Sequence, residues 1–351
     1  MSSASTSPAA SEQELLAAAR EGDEAAFRRL VEPRHAELHA HCYRMLGSVH
    51  DADDALQEAL LRAWRGLPGF ERRSSLRSWL YKIATNACLD ALARRSKRVL
   101  PIDYGPVSRI DDELGEPLPD STWLEPYPDA VTGLAEGFAA PEARYELRES
   151  VELAFTAALQ HLLPRQRAVL ILREVLGFSA REVAETLETT TASVNSTMQR
   201  ARAAVESRLP EQSQQATLRA LGDEQVRYLV EGFIDAWDRG DVDTMVALLA
   251  DQPTFALPPH DAWYEGRDAV DAFLPRIHGQ WRLVPTRANG QLAFAAYRRD
   301  DETGVYRAAI LDVLTVREGL IADVTAWATP SLFERFGLPA ELLPTTTHNG
   351  G

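Results

Sequence analysis

The sequence predicts a multidomain chain: two all-α helical domains, the second containing a helix-turn-helix, followed by a C-terminal α+β domain. Three observations predict it. Apolar residues recur at three- and four-residue steps through the first hundred residues and again from Ala143 to Leu209. Between these stretches the periodicity disappears, and after Gln215 it changes to helices mixed with β-rich runs. The 351 residues leave room for two or three domains.

The elements follow in order. Residues 1–11, MSSASTSPAAS, are small and polar, with neither the basic start nor the apolar core of a signal peptide, and are expected to be disordered. The first helical domain spans residues 12–98. Ser11 and Glu14 have capping-box spacing at its start. Leu56, Leu60, Ala63 and Trp64, then Leu76, Leu80, Ile83 and Ala87, mark buried stripes, with breakers at Gly47 and Gly66-Leu67-Pro68-Gly69. Asp51, Asp53 and Asp54 open a helix, where carboxylates suit the helix dipole. Asp54, Gln57, Glu58 and Leu61 then share one face at i, i+3, i+4 and i+7, which by itself reads as a solvated acidic face. A polar loop, Gly69 to Ser75, leads into a helix from Leu76 to Ala93. There Arg77, Asn86, Arg94 and Arg95 are expected outward, and Trp79, Leu80 and Ile83 inward. His35, His39 and His41 have no acids spaced for metal or catalytic work and read as structural.

Residues 99–142 read as an acidic, Pro-rich linker, because a loop this long is uncommon inside a compact domain. A solvated spacer accounts for Asp111, Asp112, Glu113 and Glu116, but not for the string Trp123-Leu124-Glu125-Pro126-Tyr127-Pro128. The second helical domain covers residues 143–210. Its helix from Pro164 to Leu176 presents Leu170, Ile171 and Val175 as a pocket for a partner helix. Phe178-Ser179 leads into Ala180 to Leu187, Glu188 to Thr190 make a turn, and Thr191 to Leu209 form a longer helix. Val183, Ala184 and Leu187 are placed to pack on Val194 and Met198. That packing leaves Ala192, Asn195, Ser196, Gln199 and Arg200 outward. Asn and Gln can bond adenine edges and Arg guanine, while Arg202 and Arg208 suit phosphates. An amphipathic helical hairpin with a solvated face fits this segment alone as well.

A short linker, residues 211–221, precedes the α+β domain, residues 222–342, and a tail, residues 343–351. Helices are expected at Gln225 to Arg239, Asp243 to Ala250 and Arg267 to His278. Strands are expected at Pro253 to Leu257, Gln291 to Arg298, Tyr306 to Arg317 and Leu320 to Trp327.

Composition bounds the function. Two cysteines without metal-type spacing argue against a disulfide framework or a zinc site and fit a reducing cytoplasm, and no cofactor is expected. No apolar run is long enough to span a membrane. The net charge of −15 is awkward for a DNA-binding protein, because phosphate neutralisation drives non-specific affinity. Arginines nevertheless cluster at Arg72 to Arg77, Arg94 to Arg98 and Arg200 to Arg208. Such a chain needs a partner to hold it on DNA.

The segment LPRQRAVLILREVLGFSAREVAETLETTTASVNSTMQRARA resembles the fourth domain of sigma-70 family RNA polymerase factors, of the extracytoplasmic-function group. That resemblance implies reading of a minus-thirty-five element by Thr190, Ala192, Asn195, Ser196, Gln199, Arg200 and Arg202, and a grip on the polymerase β-subunit flap. Asn195 and Thr197 stand where many relatives carry basic residues. DADDALQEALLRAW and the loop and helix after it resemble the second sigma domain. The implied roles are docking of Asp54, Gln57, Glu58 and Leu61 on the β′ clamp helices of core RNA polymerase, and capture of the unpaired minus-ten strand of promoter DNA. Phe70, Arg72, Arg73, Ser74 and Ser75 would form the base pocket, with Arg77, Asn86 and Arg94 along the strand. Trp79 reads as core rather than as a stacking platform. The resemblance sets the linker near the polymerase channels, where its acids would mimic nucleic acid.

Residues Gly222 to Pro339 resemble the SnoaL-like cone fold, in which helices wrap a curved antiparallel sheet. The fold hosts enzymes and binding modules alike. His260, Asp261, His278 and Asp312 are the candidate acid–base residues, yet no dyad emerges from their spacing, so no catalytic residue is assigned. Trp263, Trp281, Phe294 and Trp327 would line a pocket for an unknown small-molecule ligand or simply pack the core. Regulation of the sigma domains is the expected role, with two alternatives: a ligand-sensing regulator independent of polymerase, and a cyclase- or isomerase-like enzyme with an accessory DNA-binding half.

Overall fold

The computed structural model describes residues 11–71, 74–132, 151–277 and 279–343. The expected disordered start, Arg72, Arg73, His278 and the tail beyond 343 lie outside these residues. By contact the chain forms two compact units. One comprises the chain up to Leu46, His50–Arg95 and Pro164–Arg200. The other comprises Gly47–Val49, Ser96–Leu163 and the chain from Ala201 onward.

The first unit is all helical. It holds α1 (Glu12–Arg20), α2 (Glu24–Val31), α3 (His35–Leu46), α4 (Val49–Gly66, from His50) and α5 (Leu76–Leu92). The Ser11–Glu14 capping box forms as the spacing predicts, and Asp23 caps α2. α3 is the central helix, buried from Leu38 to Leu46. His39 and His41 are buried with it. His39 Nε2 lies 2.9 Å from the Asp53 carboxylate, and His41 Nε2 lies 2.9 Å from Thr85 Oγ1. Burial beside Arg44 pushes His41 down to about 3, so it stays neutral and structural.

The same unit contains α8 (Pro164–Leu170), a π-helical turn (Ile171–Val175), α9 (Ala180–Thr186) and the first ten residues of α10 (Thr191–Glu206). Arg167, 1% exposed, donates from its guanidinium to the Met45 carbonyl at the end of α3. That bond helps satisfy the carbonyls a helix C-terminus leaves open.

The second unit is built on a seven-stranded sheet. Its members are β1 (Leu249–Ala256), β2 (Trp263–Glu265), β3 (Trp281–Ala288), β4 (Gln291–Arg299), β5 (Tyr306–Arg317), β6 (Leu320–Trp327) and β7 (Glu341–Leu342). The order is β2-β1-β6-β5-β4-β3, with β7 beside β5, so the sheet is not closed. All pairs are antiparallel except β1 with β6. Alternation along the strands divides two apolar cores between its faces. Leu314, Val316, Phe294 and Val324 meet α11 (Gln214–Arg239), α12 (Val242–Ala247) and α13 (Arg267–Phe273) on the inner face. Leu311, Val313, Ala295 and Trp327 form the outer core, with Phe333 of α14 (Leu332–Arg335), Leu124 of the inter-domain stretch and Leu153 of α7 (Leu153–Gln160). The short α6 (Pro101–Tyr104) lies within that stretch.

The expected helix at Gln225 begins earlier, at Gln214, and kinks at Gly222, whose φ of 78° breaks the helical run. Strand β3 was not expected: Trp281–Ala288 alternates, but Pro285 and two arginines mask its β character.

Candidate nucleic-acid interface

The helix-turn-helix forms at the predicted residues. Ser179 caps α9 in a full capping box, its Oγ accepting from Glu182 N and the Glu182 carboxylate accepting from Ser179 N and Oγ. These bonds hold the Glu182 carboxyl below the usual range. Glu188 takes a left-handed φ of 52° at the turn. Thr190 opens α10, its Oγ1 accepting from Ser193 N at 3.2 Å. Val183, Ala184, Leu187 and Val194 are all buried where the two helices meet. That anchoring turns Thr190, Ala192, Asn195, Ser196, Gln199, Arg200 and Arg202 outward, and each is exposed. Arg200 reaches back to Thr197 Oγ1 at 3.4 Å, and Ser196 Oγ donates to the Ser193 carbonyl. The face is polar and one helix wide, with small residues at its start and the longer Gln199, Arg200 and Arg202 beyond, which suits base-edge and phosphate contacts in a major groove.

The acidic stripe on α4 is equally well presented. Asp54, Gln57, Glu58 and Leu61 are all exposed, Leu61 at 44%. Glu58 accepts from Arg62 at 2.7 Å, and Arg62 also reaches Asp90. Beside the stripe, Phe27, Val31, Leu56, Leu60 and Trp64 line a groove of about 510 Å³. Sequence reasoning identified the stripe but not the groove, because Phe27 and Val31 come from α2, thirty residues upstream.

The loop before α5 and its neighbours are less uniform. Ser74 is exposed. Ser75 caps α5 by accepting from Ser78 N at 3.0 Å. Phe70, expected in a base pocket, is 6% exposed and packs against Trp79 in a tilted ring contact at 4.8 Å, with its carbonyl held by Arg20. Trp79 is half-buried there, in keeping with a packing role. Arg77, expected outward, is half-buried. It donates to the Leu176 carbonyl at 3.2 Å and lies over the rings of Phe178 and Tyr81, at 4.6 and 5.1 Å. Ser78 Oγ donates to Glu182, and Lys82 reaches the Glu185 carbonyl and the Glu188 carboxylate. Asn86 is half-buried and Arg94 exposed. Arg95 pairs with the buried Asp51.

In the second unit, the inter-domain stretch is packed rather than solvated. Trp123, Leu124 and Tyr127 are at most 2% exposed. Trp123 Nε1 donates to the Pro259 carbonyl and Trp327 Nε1 to the Leu124 carbonyl, both at 2.9 Å. Ser108 pairs with Trp263 through backbone and side chain, and Arg276 donates to the Ile110 and Asp112 carbonyls. Asp111, Asp112, Glu113 and Glu116 remain exposed.

The acid–base candidates are dispersed. His260 Nδ1 is 2.7 Å from the Gly115 carbonyl, at the turn after the cis Pro258–Pro259 bond. Asp261 lies beside the same glycine. Asp312 sits mid-strand in β5 between Phe294 and Ala326, 4% exposed, and burial pushes its carboxyl up to about 7. Of the aromatics, Trp281 and Phe294 join the inner core, and Trp327 the outer one. Among the described residues there is no group of three or more metal-type side chains, and no helix is long and apolar enough to cross a membrane.

Comparison with known proteins agrees with this layout. Sigma-70 region 2 matches residues 30–98, Sigma-70 region 4 matches residues 152–205, and the SnoaL-like domain matches residues 230–324. The chain is 41% identical over 329 residues to the ECF RNA polymerase sigma factor SigG of Mycobacterium tuberculosis, covering 92% of this chain and 86% of that one. It is 32% identical over 193 residues to SigM of the same organism, covering 55% of this chain and 82% of SigM. The crystal structure of Mycobacterium tuberculosis SigJ superposes with a TM-score of 0.54 at 23% identity, over 88% of this chain and 98% of SigJ.

Proposed function

Given that the chain belongs to the extracytoplasmic-function group of sigma-70 RNA polymerase sigma factors, we propose how its residues divide the work of transcription initiation. Asp54, Gln57, Glu58 and Leu61 dock on the β′ clamp helices, and the adjoining groove receives apolar side chains of the same partner. The exposed face of α10 reads the minus-thirty-five element, with Asn195 and Gln199 suited to adenine edges and Arg200 to guanine. Arg202 neutralises phosphate. The loop before α5 captures the unpaired minus-ten strand, with Arg94 and Asn86 along it. Arg77 joins the strand by exchanging its bond to the Leu176 carbonyl for a phosphate.

The observation that carries this reading is the simultaneous exposure of the α4 stripe and the α10 face, each on a helix whose opposite side is buried. A regulator that bound duplex DNA without polymerase would have no use for the α4 stripe.

The C-terminal domain regulates rather than catalyses in this reading. The support is the seating of Trp123, Leu124 and Tyr127 in its unit, which makes the inter-domain stretch a route for control. Whether the domain inhibits or activates follows from experiment. The test is run-off transcription with core RNA polymerase on the upstream region of the protein's own gene, using the full chain and a Trp123→Ala variant. Specific transcripts establish the assignment, and the difference between the two gives the sign of control. Absence of both initiation and core binding would replace it with the polymerase-independent regulator.

A further inference from the structure

The turn between β3 and β4 is Asn289-Gly290, with φ of 55° and 70°, the two-residue hairpin that this dipeptide favours. It does more than reverse the chain. Asn289 N donates to the Tyr127 carbonyl and Asn289 Oδ1 accepts from Tyr127 N, both at 2.8 Å. Its amide nitrogen donates to the Val151 carbonyl at 2.7 Å. Gly290 N donates to the Asp129 carboxylate at 2.8 Å, and Gln291 Oε1 accepts from Leu153 N at 2.9 Å. Both sides of residues 133–150 are therefore bonded to one hairpin.

A second carboxylate completes the arrangement. Glu152, 5% exposed, places one oxygen 3.0 Å from Gln214 N and the other 2.8 Å from Gln215 N, at the start of α11. A buried carboxylate there is stabilised by two charge-assisted bonds and by the helix dipole. Gln214 in turn pairs with both backbone groups of Val316, and Gln215 donates to the Gly290 carbonyl. Asn289 is fully buried, and Gln291, Gln214 and Gln215 are at most 6% exposed. A buried polar network with this many members is stable only while its partners stay together.

Residue 152 is where the region 4 match begins, and α7 is its first helix. We propose that Glu152 and Asn289 are positioning residues that fasten the start of region 4 to the C-terminal sheet. The C-terminal domain thereby limits how far the minus-thirty-five reader can be carried from the inter-domain stretch. Neither residue touches DNA or polymerase in this scheme. The inference rests on the sigma assignment above and adds a specificity it does not contain: the domain sets the tolerated spacing between promoter elements.

The test uses full-length protein with core polymerase on a promoter series whose element spacing changes one base pair at a time. Asn289→Gly keeps the left-handed turn but removes both side-chain bonds. Glu152→Gln keeps one acceptor and removes the charge. The wild type is expected to show a sharp optimum. Both variants should broaden it, raising relative output at off-optimum spacings by about fivefold, the ratio that one net hydrogen bond supports. Thermal melts show that each variant is folded. If one variant fails to fold, the other still decides the matter. A lower amplitude with an unchanged spacing profile overturns this inference and leaves the sigma assignment intact. No specific transcript from the wild type overturns the assignment, and the inference with it.

Discussion

Asp312 offers a test of the inner core that depends on pH. Its carboxyl lies between Phe294 and Ala326 on the inner face, and burial raises it from 3.8 to about 7. The folded chain therefore binds this proton more tightly than the unfolded chain does. Stability from Asp312 is greatest below the unfolded pKa and is lost as pH rises through the folded value. A gap of about three units is worth ~4 kcal/mol at full effect. At pH 5 only about 1.2 units of that gap have been crossed, or ~1.6 kcal/mol. Asp312→Asn cannot ionise, so its stability relative to wild type should improve between pH 5 and pH 8 by roughly 2–3 kcal/mol. Urea unfolding followed by tryptophan fluorescence reads this directly, since Trp237 and Trp281 lie in the same core. An offset between variant and wild type that is equal at the two pH values would refute the reasoning.

Three further outcomes are expected. Leu61→Glu should weaken core polymerase binding by about tenfold or more in a binding titration, with no change in Tm, because Leu61 is exposed. Gln199→Ala should relax discrimination at one base pair of the minus-thirty-five element by ~1–3 kcal/mol in competition binding. Arg202→Ala should instead weaken all sequences alike and lower the salt slope by about 1. Arg167→Met removes a buried donor to the Met45 carbonyl, and the first unit should lose ~2 kcal/mol in thermal unfolding.

The helices were legible wherever one face was apolar and a cap stood at the start. Ser11-Glu14 and Ser179-Glu182 each form the box that their spacing predicts. The α10 face was legible because Val183, Ala184 and Val194 determine which side is buried. The place of Arg77 was not legible. A cation at i+1 of an amphipathic helix reads as solvated, yet Tyr81 and Phe178 supply aromatic faces from one turn away and from a hundred residues downstream. The hairpin network escaped for the same reason. Asn289, Gln291 and Glu152 look like ordinary polar residues until three distant segments meet. The one local clue was Trp123 to Tyr127, too apolar for a spacer, and its partner surface lies beyond any sequence window.

The uneven distribution of charge leads to a last test. Residues 99–142 and 211–351 hold 31 of the 52 acidic residues and only 13 of the 37 basic ones, so the helical sigma regions are close to neutral. The acidity that seemed to argue against DNA binding therefore resides almost wholly in the unit that carries the C-terminal sheet. At physiological salt a field of that kind reaches only about 8 Å, so its effect on DNA requires the acids to lie close to the duplex. Asp111, Asp112, Glu113 and Glu116 are exposed on a stretch held by Arg276 and Trp263, the right condition for a fixed repulsive patch. Replacing all four by Asn or Gln should tighten non-specific DNA binding at low salt by up to about tenfold, and the gain should vanish near 1 M, where screening shortens to about 3 Å. If the acids instead stand in for nucleic acid inside a polymerase channel, the substitution should alter the yield of short abortive transcripts at physiological salt. A gain in free DNA affinity that does not shrink with salt would contradict the repulsion argument, because screening must weaken any effect carried by exposed charge.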